Sequence, residues 1–371
     1  MILGYRDIDR GQWDELVRTS ATGNWFQSCA ALEFYQSLPQ LFKPFVVAIA
    51  RDAGHIDACG RLETMSLDAE RLEPEALDLR GVCVGYVTVE RNRLKQYFTR
   101  RAIIFGGPAL ADDATDEEAY ALMQAVRNQL KIEDLRLKIF SEAIYVETRN
   151  FGDYGRWKGA FEKAGFVYKP HYDIHVDCSG AVPIETVLSD NRRRQVKRAL
   201  AAGAEIGEAR NEGEIGDWYE ILAKLYRTKV RVPLPPKEFF IEFYRQKRGI
   251  YLMVRYKGRV IGGMMCPIME GKAIYEWYVC GDDEHYHDHY PSVMATWAAI
   301  EYANKNGIKR FDFMGAGEPG VAYGVRDFKM EFGGALVEHG RFLSVRKPIL
   351  FQIGKIGVWL LKRIKKLKIE G

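Results

Sequence analysis

Apolar residues fall into short runs broken by glycine turns, and the same order of runs occurs twice along the chain. Residues 45–60 carry an apolar run, a turn at Gly54 and a second run. Residues 250–263 repeat that plan around Gly258, and both patterns predict β-hairpins. The order continues: Ile103 to Gly106 answers Tyr275 to Gly281, a helix follows, and Leu137 to Phe140 answers Lys309 to Phe313. Each half closes on an aromatic residue, a lysine and a glycine: Phe161, Lys163 and Gly165 in one, Phe328, Lys329 and Gly333 in the other.

Helix signals support the same division. Thr115 and Glu118 form a capping box, in which each side chain takes up a free backbone N–H of the first turn. The partner helix starts at Pro291, sets Val293, Trp297 and Ile300 on one face and stops at Asn306-Gly307. Strands alternating with helices, twice over, predict an α/β chain with mixed (α+β) sheets in two units, residues 1–177 and 178–348. Residues 63–100 fit neither pattern and read as an insertion. Residues 349–371 form a third segment, where Ile349, Ile353, Ile356, Leu360, Ile364 and Leu367 share a helical face among many lysines. Such a helix docks on its own protein over 349–361, and its basic end suits a membrane surface or tRNA.

Composition narrows the classes. The 371 residues are 47% hydrophobic and 28% charged, which excludes a disordered chain. A net charge of +4 is mild, so an anionic partner must meet local clusters. Cys29, Cys59, Cys83, Cys178, Cys266 and Cys280 show no C-x-x-C pair and read as reduced, buried thiols. With no signal-like start and no membrane-spanning run, a cytoplasmic location is expected, with peripheral contact at the inner face of the membrane.

The densest cationic cluster is Arg192, Arg193, Arg194, Lys197 and Arg198 at a helix start. Cations there oppose the helix dipole, which favours a phosphate-binding role over a merely solvated face. Gly315-Ala316-Gly317-Glu318-Pro319-Gly320 has dinucleotide-fingerprint spacing, but Pro319 and the short remaining chain exclude a Rossmann unit. His285, His287 and His289 precede a helix start, where polar loops are solvated, so no metal site is expected. No nucleophile elbow or triad is visible. Direct attack by an amine on an acyl donor needs only positioning and a cation at the developing oxyanion.

In order along the chain come the Arg-rich helix, Tyr278-x-x-Gly281, the Pro291 helix, the Asp312 strand with its glycine turn, and Phe328-Lys329. Together these resemble the FemA/FemB/FemX family of aminoacyltransferases, which build peptidoglycan cross-bridges on a doubled GNAT-type acyltransferase fold. The resemblance implies two tandem GNAT-like units with a cleft between them. It implies Lys329 as oxyanion stabiliser, with Asp312 beside it. Arg193 with Arg194 would grip the acceptor's diphosphate, and Tyr278 and Phe328 would line the acyl channel. Trp25-Phe26-Gln27-Ser28 looks like the family's early Phe-Gln motif and adds Gln27 to the substrate residues. The chain departs where a precursor-binding lysine should follow, since Tyr35-Gln36 stand there, and it lacks a long helical hairpin in the second unit.

The function implied is transfer of an aminoacyl group from aminoacyl-tRNA to an amine of a peptidoglycan precursor, UDP-linked or lipid-linked, with no other cofactor. Two rivals are an acyl-CoA-dependent N-acyltransferase on the same fold and a non-catalytic module that binds tRNA or membrane through its basic clusters.

Overall fold

The structure is a computed structural model and describes residues 1–52, 77–90, 92–129 and 143–367. It divides into two compact units, Met1–Lys169 with Gly340–Gly371, and Pro170–His339.

Unit 1 holds strands β1 (Ile2–Leu3), β2 (Phe42–Asp52), β3 (Leu77–Thr88), β4 (Ala102–Gly106), β5 (Ala109–Leu110), β6 (Tyr145–Asn150) and β7 (Val167–Lys169). Unit 2 holds β8 (Tyr172–Asp177), β9 (Ala204–Glu208), β10 (Gly249–Tyr256), β11 (Arg259–Met269), β12 (Ala273–Tyr275), β13 (Tyr278–Gly281), β14 (Arg310–Asp312) and β15 (Ala335–Glu338). The chain then returns to unit 1 with β16 (Arg341–Val345). The sheet orders are β1-β2-β3-β4-β6-β16-β7, with β5 on β3, and β15-β8-β14-β12-β11-β10-β9, with β13 on β11.

The internal repeat is visible in the ladders. Each sheet is antiparallel except for one parallel pair, β4 with β6 in unit 1 and β12 with β14 in unit 2. The unit 1 strand equivalent to β14 is therefore Tyr145–Asn150, whereas the expected Leu137 to Phe140 lies outside the described residues. The second run of the expected 45–60 hairpin lies outside them as well. The antiparallel partner of β2 is β3, so residues 77–88 are a strand of the sheet and not part of an insertion.

The units also divide at other points than 177 and 348. β8 pairs with β14 and β15 and so belongs to unit 2, while β16 lies between β6 and β7 in unit 1. Period-2 alternation marks these segments as strands but carries no information on which sheet accepts their backbone hydrogen bonds.

Local rules explain the elements that flank the site. β10 is apolar from Ile250 through Val254, as a strand covered on both faces must be. The helix Pro291–Lys305 starts with proline at its first position and is buried on most sides, including Val293, Met294, Trp297 and Ile300. Gly281 lets it approach β13, because a Cβ there would lie 2.3 Å from the Ser292 nitrogen. Cys29, Cys83, Cys178, Cys266 and Cys280 are free and buried, and burial pushes their thiols up, Cys29 and Cys178 to about 12. None of these is an activated nucleophile. Among the described residues, no helix is long and apolar enough to cross a membrane.

Candidate active site in unit 2

β12 and β14 run parallel in register only from Ala273 opposite Arg310 to Tyr275 opposite Asp312. One further bond, from the Glu276 N–H to the Asp312 carbonyl at 2.9 Å, closes the ladder. Beyond it the strands part. β13 follows β11, with Tyr278 opposite Met265, while the chain after β14 turns away through Phe313 to Gly317. That turn is strained: Met314 has φ 55°, a left-handed conformation costly for a residue with a long side chain, and Gly315 has φ 133°.

Three carboxylates and one lysine hold the turn. Asp312 Oδ1 accepts from the Met314 N–H at 2.8 Å, and Asp173 Oδ1 accepts from the Gly315 N–H at 2.8 Å. Lys329, on the helix Gly324–Met330, reaches in from the other side. Its Nζ donates to the carbonyls of Phe313 (2.8 Å) and Gly315 (2.9 Å) and lies 3.0 Å from Glu276 Oε1. An ammonium has three protons, and all three have acceptors here. Lys329 is buried and paired with Glu276, not set on the surface.

The electrostatics follow from burial. Glu276 is buried, which pushes its carboxyl up, and the Lys329 charge offsets this only in part. Asp312 is fully buried, yet His175, Arg310 and the Met314 N–H outweigh that and hold its carboxyl well below the usual range. Its Oδ2 lies 3.2 Å from His175 Nε2 and 3.4 Å from Arg310 Nη2. Asp173 is pushed up to about 6 by burial and by the Asp312 charge. Burial alone would lower His175, but the two carboxylates raise it to about 9. Asp173, His175 and Asp312 place one ligand atom each within 4.8 Å of the others.

The expected site residues separate into two groups. Asp312 and Lys329 converge on the Phe313–Gly317 turn, while the Phe328 ring lies 5.4 Å from Phe332 and under the Arg192 guanidinium. Tyr278 lies just past the point where the strands part, its ring 5.0 Å from Phe240 and 6.2 Å from Tyr226. Arg193 does not point to an acceptor: its Nε and Nη2 donate to the carbonyls of Glu185 (3.2 Å) and Leu188 (3.1 Å), tying down the turn ahead of its own helix, Asp190–Ala201. Arg194 on that helix is exposed. Gln27 lies in unit 1, where its amide bonds to the Val84 N–H (2.8 Å) and carbonyl (3.1 Å) and to the Phe105 carbonyl (2.8 Å). It bridges β3 and β4, and its hydrogen-bonding groups are used within that sheet.

Three residues at the site had no place in the sequence reading, Glu276, Asp173 and His175, and Arg192 was read only as part of the cationic cluster. Arg192 is buried, 4.3 Å over the Phe328 ring and 3.4 Å from Glu331, which locks its helix to the Lys329 segment. Signals existed for the others. Glu276 is a lone acid between two apolar strand segments, and Asp173 and His175 alternate on one face of β8.

The start of the Pro291 helix carries a carboxylate of its own. Asp283 accepts from the Ser292 N–H at 3.1 Å and from the Ser292 hydroxyl. Asp282 holds His285 at 2.8 Å, so this His-rich turn is knit by its own acids.

Residues 190–330 match the family model described as an acetyltransferase (GNAT) domain. The fold is similar to the crystal structure of FemX, with a TM-score of 0.65 at 13% identity over 95% of this chain and 99% of that one. It is also similar to a tandem GNAT protein from the clavulanic acid biosynthesis pathway, with a TM-score of 0.50 at 9% identity over 93% and 98%. No curated protein sequence matches the chain. With the GNAT domain match confined to residues 190–330, fold and domain match together define a chain of GNAT-type fold. Within it, the chain has the FemX-like tandem GNAT arrangement.

Proposed function

We propose that the chain transfers an aminoacyl group from aminoacyl-tRNA to an amine of a peptidoglycan precursor peptide, with the chemistry at the point where β12–β13 and β14 part. The buried Lys329–Glu276 pair at that point carries the reading. A carboxylate raised by burial is a stronger proton acceptor than an exposed one, and an ammonium locked beside it supplies fixed positive charge.

In this reading the acceptor amine attacks the ester carbonyl, and a C–N bond forms as the carbonyl becomes a tetrahedral oxyanion. Glu276 takes the proton that the amine loses. Its neutralisation removes the counter-charge of Lys329, so the ammonium acts on the oxyanion at the moment that charge develops. Collapse breaks the C–O bond, and Glu276 returns the proton to the departing ribose hydroxyl. Asp312, Asp173 and His175 position the Phe313–Gly317 turn whose carbonyls hold Lys329. Tyr278 and Phe328 flank the acyl group. Arg194, with Lys197 and Arg198 on the exposed face of its helix, meets the acceptor's phosphates in place of Arg193.

An ester-linked donor is favoured over acyl-CoA by Asp283. A diphosphate at the start of the Pro291 helix would face a carboxylate already bonded to the Ser292 N–H. The test is incubation with a mixture of charged tRNAs and UDP-linked or lipid-linked precursors, read as mass shifts on the precursors, beside a parallel reaction with acyl-CoA donors. Transfer from acyl-CoA alone would replace the tRNA reading.

A further inference from the structure

The last helix, Pro348–Leu367, contradicts the expected docking of its isoleucine face. The residues set toward the rest of unit 1 are Leu350, Phe351 and Gly354, all half-buried. Phe351 packs edge-on to Tyr145 at 5.4 Å. Gly354 lies against the helix Arg93–Thr99, where a Cβ on it would meet the Phe98 carbonyl at an ordinary contact distance of 4.0 Å. The outward face is the isoleucine stripe: Ile349 is 78% exposed, Ile353 47% and Ile356 57%. Phe98, on the helix underneath, is 39% exposed. In the sequence the stripe's spacing continues through Leu360, Ile364 and Leu367.

Isolated exposed apolar residues are ordinary, but a stripe along one helix is not. The charges beside it are of one sign. Between 346 and 368 the sequence has Arg346, Lys347, Lys355, Lys362, Arg363, Lys365, Lys366 and Lys368 and no acid. At 1.5 Å per residue a 20-residue helix is about 30 Å long. Outward isoleucines on a segment whose sequence is basic and free of acids match the two layers of a bilayer interface, where acyl chains lie beneath anionic headgroups. RNA would answer the cations but has no use for the isoleucines.

We propose that the outward face of Pro348–Leu367 is a docking surface for an anionic lipid bilayer, and that the helix lies flat in the interface with Ile349, Ile353 and Ile356 immersed. The proposal is independent of the donor and the acceptor of the transfer reaction.

The experiment is flotation of the full-length protein with phosphatidylcholine vesicles, with and without phosphatidylglycerol, comparing wild type with Ile353→Glu and Ile356→Glu. Both side chains are exposed, so the melting curves should match wild type. Each substitution should weaken partition onto the anionic vesicles by at least about tenfold. Added salt should weaken binding, and neutral vesicles should bind less well. Absence of vesicle binding, or binding indifferent to both substitutions, would overturn the proposal. Dissociation of a dimer by the same substitutions in size-exclusion chromatography would assign the stripe to a second copy of the chain. A loss of tRNA affinity with vesicle binding retained would assign the helix to RNA.

Discussion

Replacing Lys329 by methionine removes a charge from a buried pair while roughly conserving volume. Glu276 Oε1, 3.0 Å from the ammonium, would become an unpaired buried carboxylate, and the Phe313 and Gly315 carbonyls would lose their donor. Removing one partner of a buried pair costs about 3–5 kcal/mol. For a unit of this size about 1 kcal/mol shifts the melting point by about 2–4 °C, so Lys329→Met should melt about 6–20 °C lower. Adding Glu276→Gln removes the stranded charge and should recover at least about 1.5 kcal/mol. The sign of the pH dependence follows. Burial raises Glu276 above its ordinary 4.5 even beside Lys329, and Lys329→Met removes the charge that opposes the rise, so its burial is tolerated when protonated. The deficit should therefore shrink as pH falls toward 4.5 and grow as pH rises. Circular dichroism melts of wild type, both single variants and the double variant complete the cycle, with turnover measured on the same samples. Turnover should fall about 10²–10³-fold in Lys329→Met and stay low in the double variant, because restored stability does not restore the cation. A Lys329→Met protein that melts within about 2 °C of wild type would refute the buried-anchor reasoning. One that also turns over normally would remove the lysine from the chemistry.

Further outcomes follow from the same geometry. Because His175 is raised to about 9 by Asp312 and Asp173, its contribution is fully present below about pH 6.5 and is lost as pH rises through 9. Denaturation midpoints should fall across that window by at most about 1.4 kcal/mol per pH unit, and His175→Gln should flatten the dependence. Gln27→Leu should cost about 2–4 kcal/mol by stranding the Val84 and Phe105 groups, leaving acceptor KM unchanged; a KM effect without a stability loss would return Gln27 to the substrate. Arg193→Ala should cost about 0.5–1.5 kcal/mol, because two carbonyls lose their donor, whereas Arg194→Ala should leave the melt unchanged and weaken acceptor binding most at low salt. Equal behaviour of the two arginine variants in both assays would contradict the division of roles.

Local chemistry alone determined much of this protein. The Thr115–Glu118 capping box forms as its spacing requires, with Thr115 N–H on Glu118 at 2.9 Å and Glu118 N–H on Thr115 at 3.2 Å. The 250–263 hairpin forms as β10 and β11, and Pro291 starts its helix, because caps, turns and period-2 runs act over a few residues. The doubled plan was legible for the same reason, whereas Lys329 was singled out by the resemblance of the Phe328-Lys329 segment and not by any local period. Partners across the fold were not legible. Glu276 meets Lys329 only because β12 and β14 part where the helix Gly324–Met330 returns, and Asp173 meets Gly315 only through the pairing of β8 with β14. β16 joins unit 1, Gln27 is absorbed into β3 and β4, and the final helix turns Phe351 rather than its isoleucines inward. A sequence pattern fixes which residues share a face. Which surface that face meets depends on ladder partners and close approaches between residues far apart in the chain, and no local period encodes them.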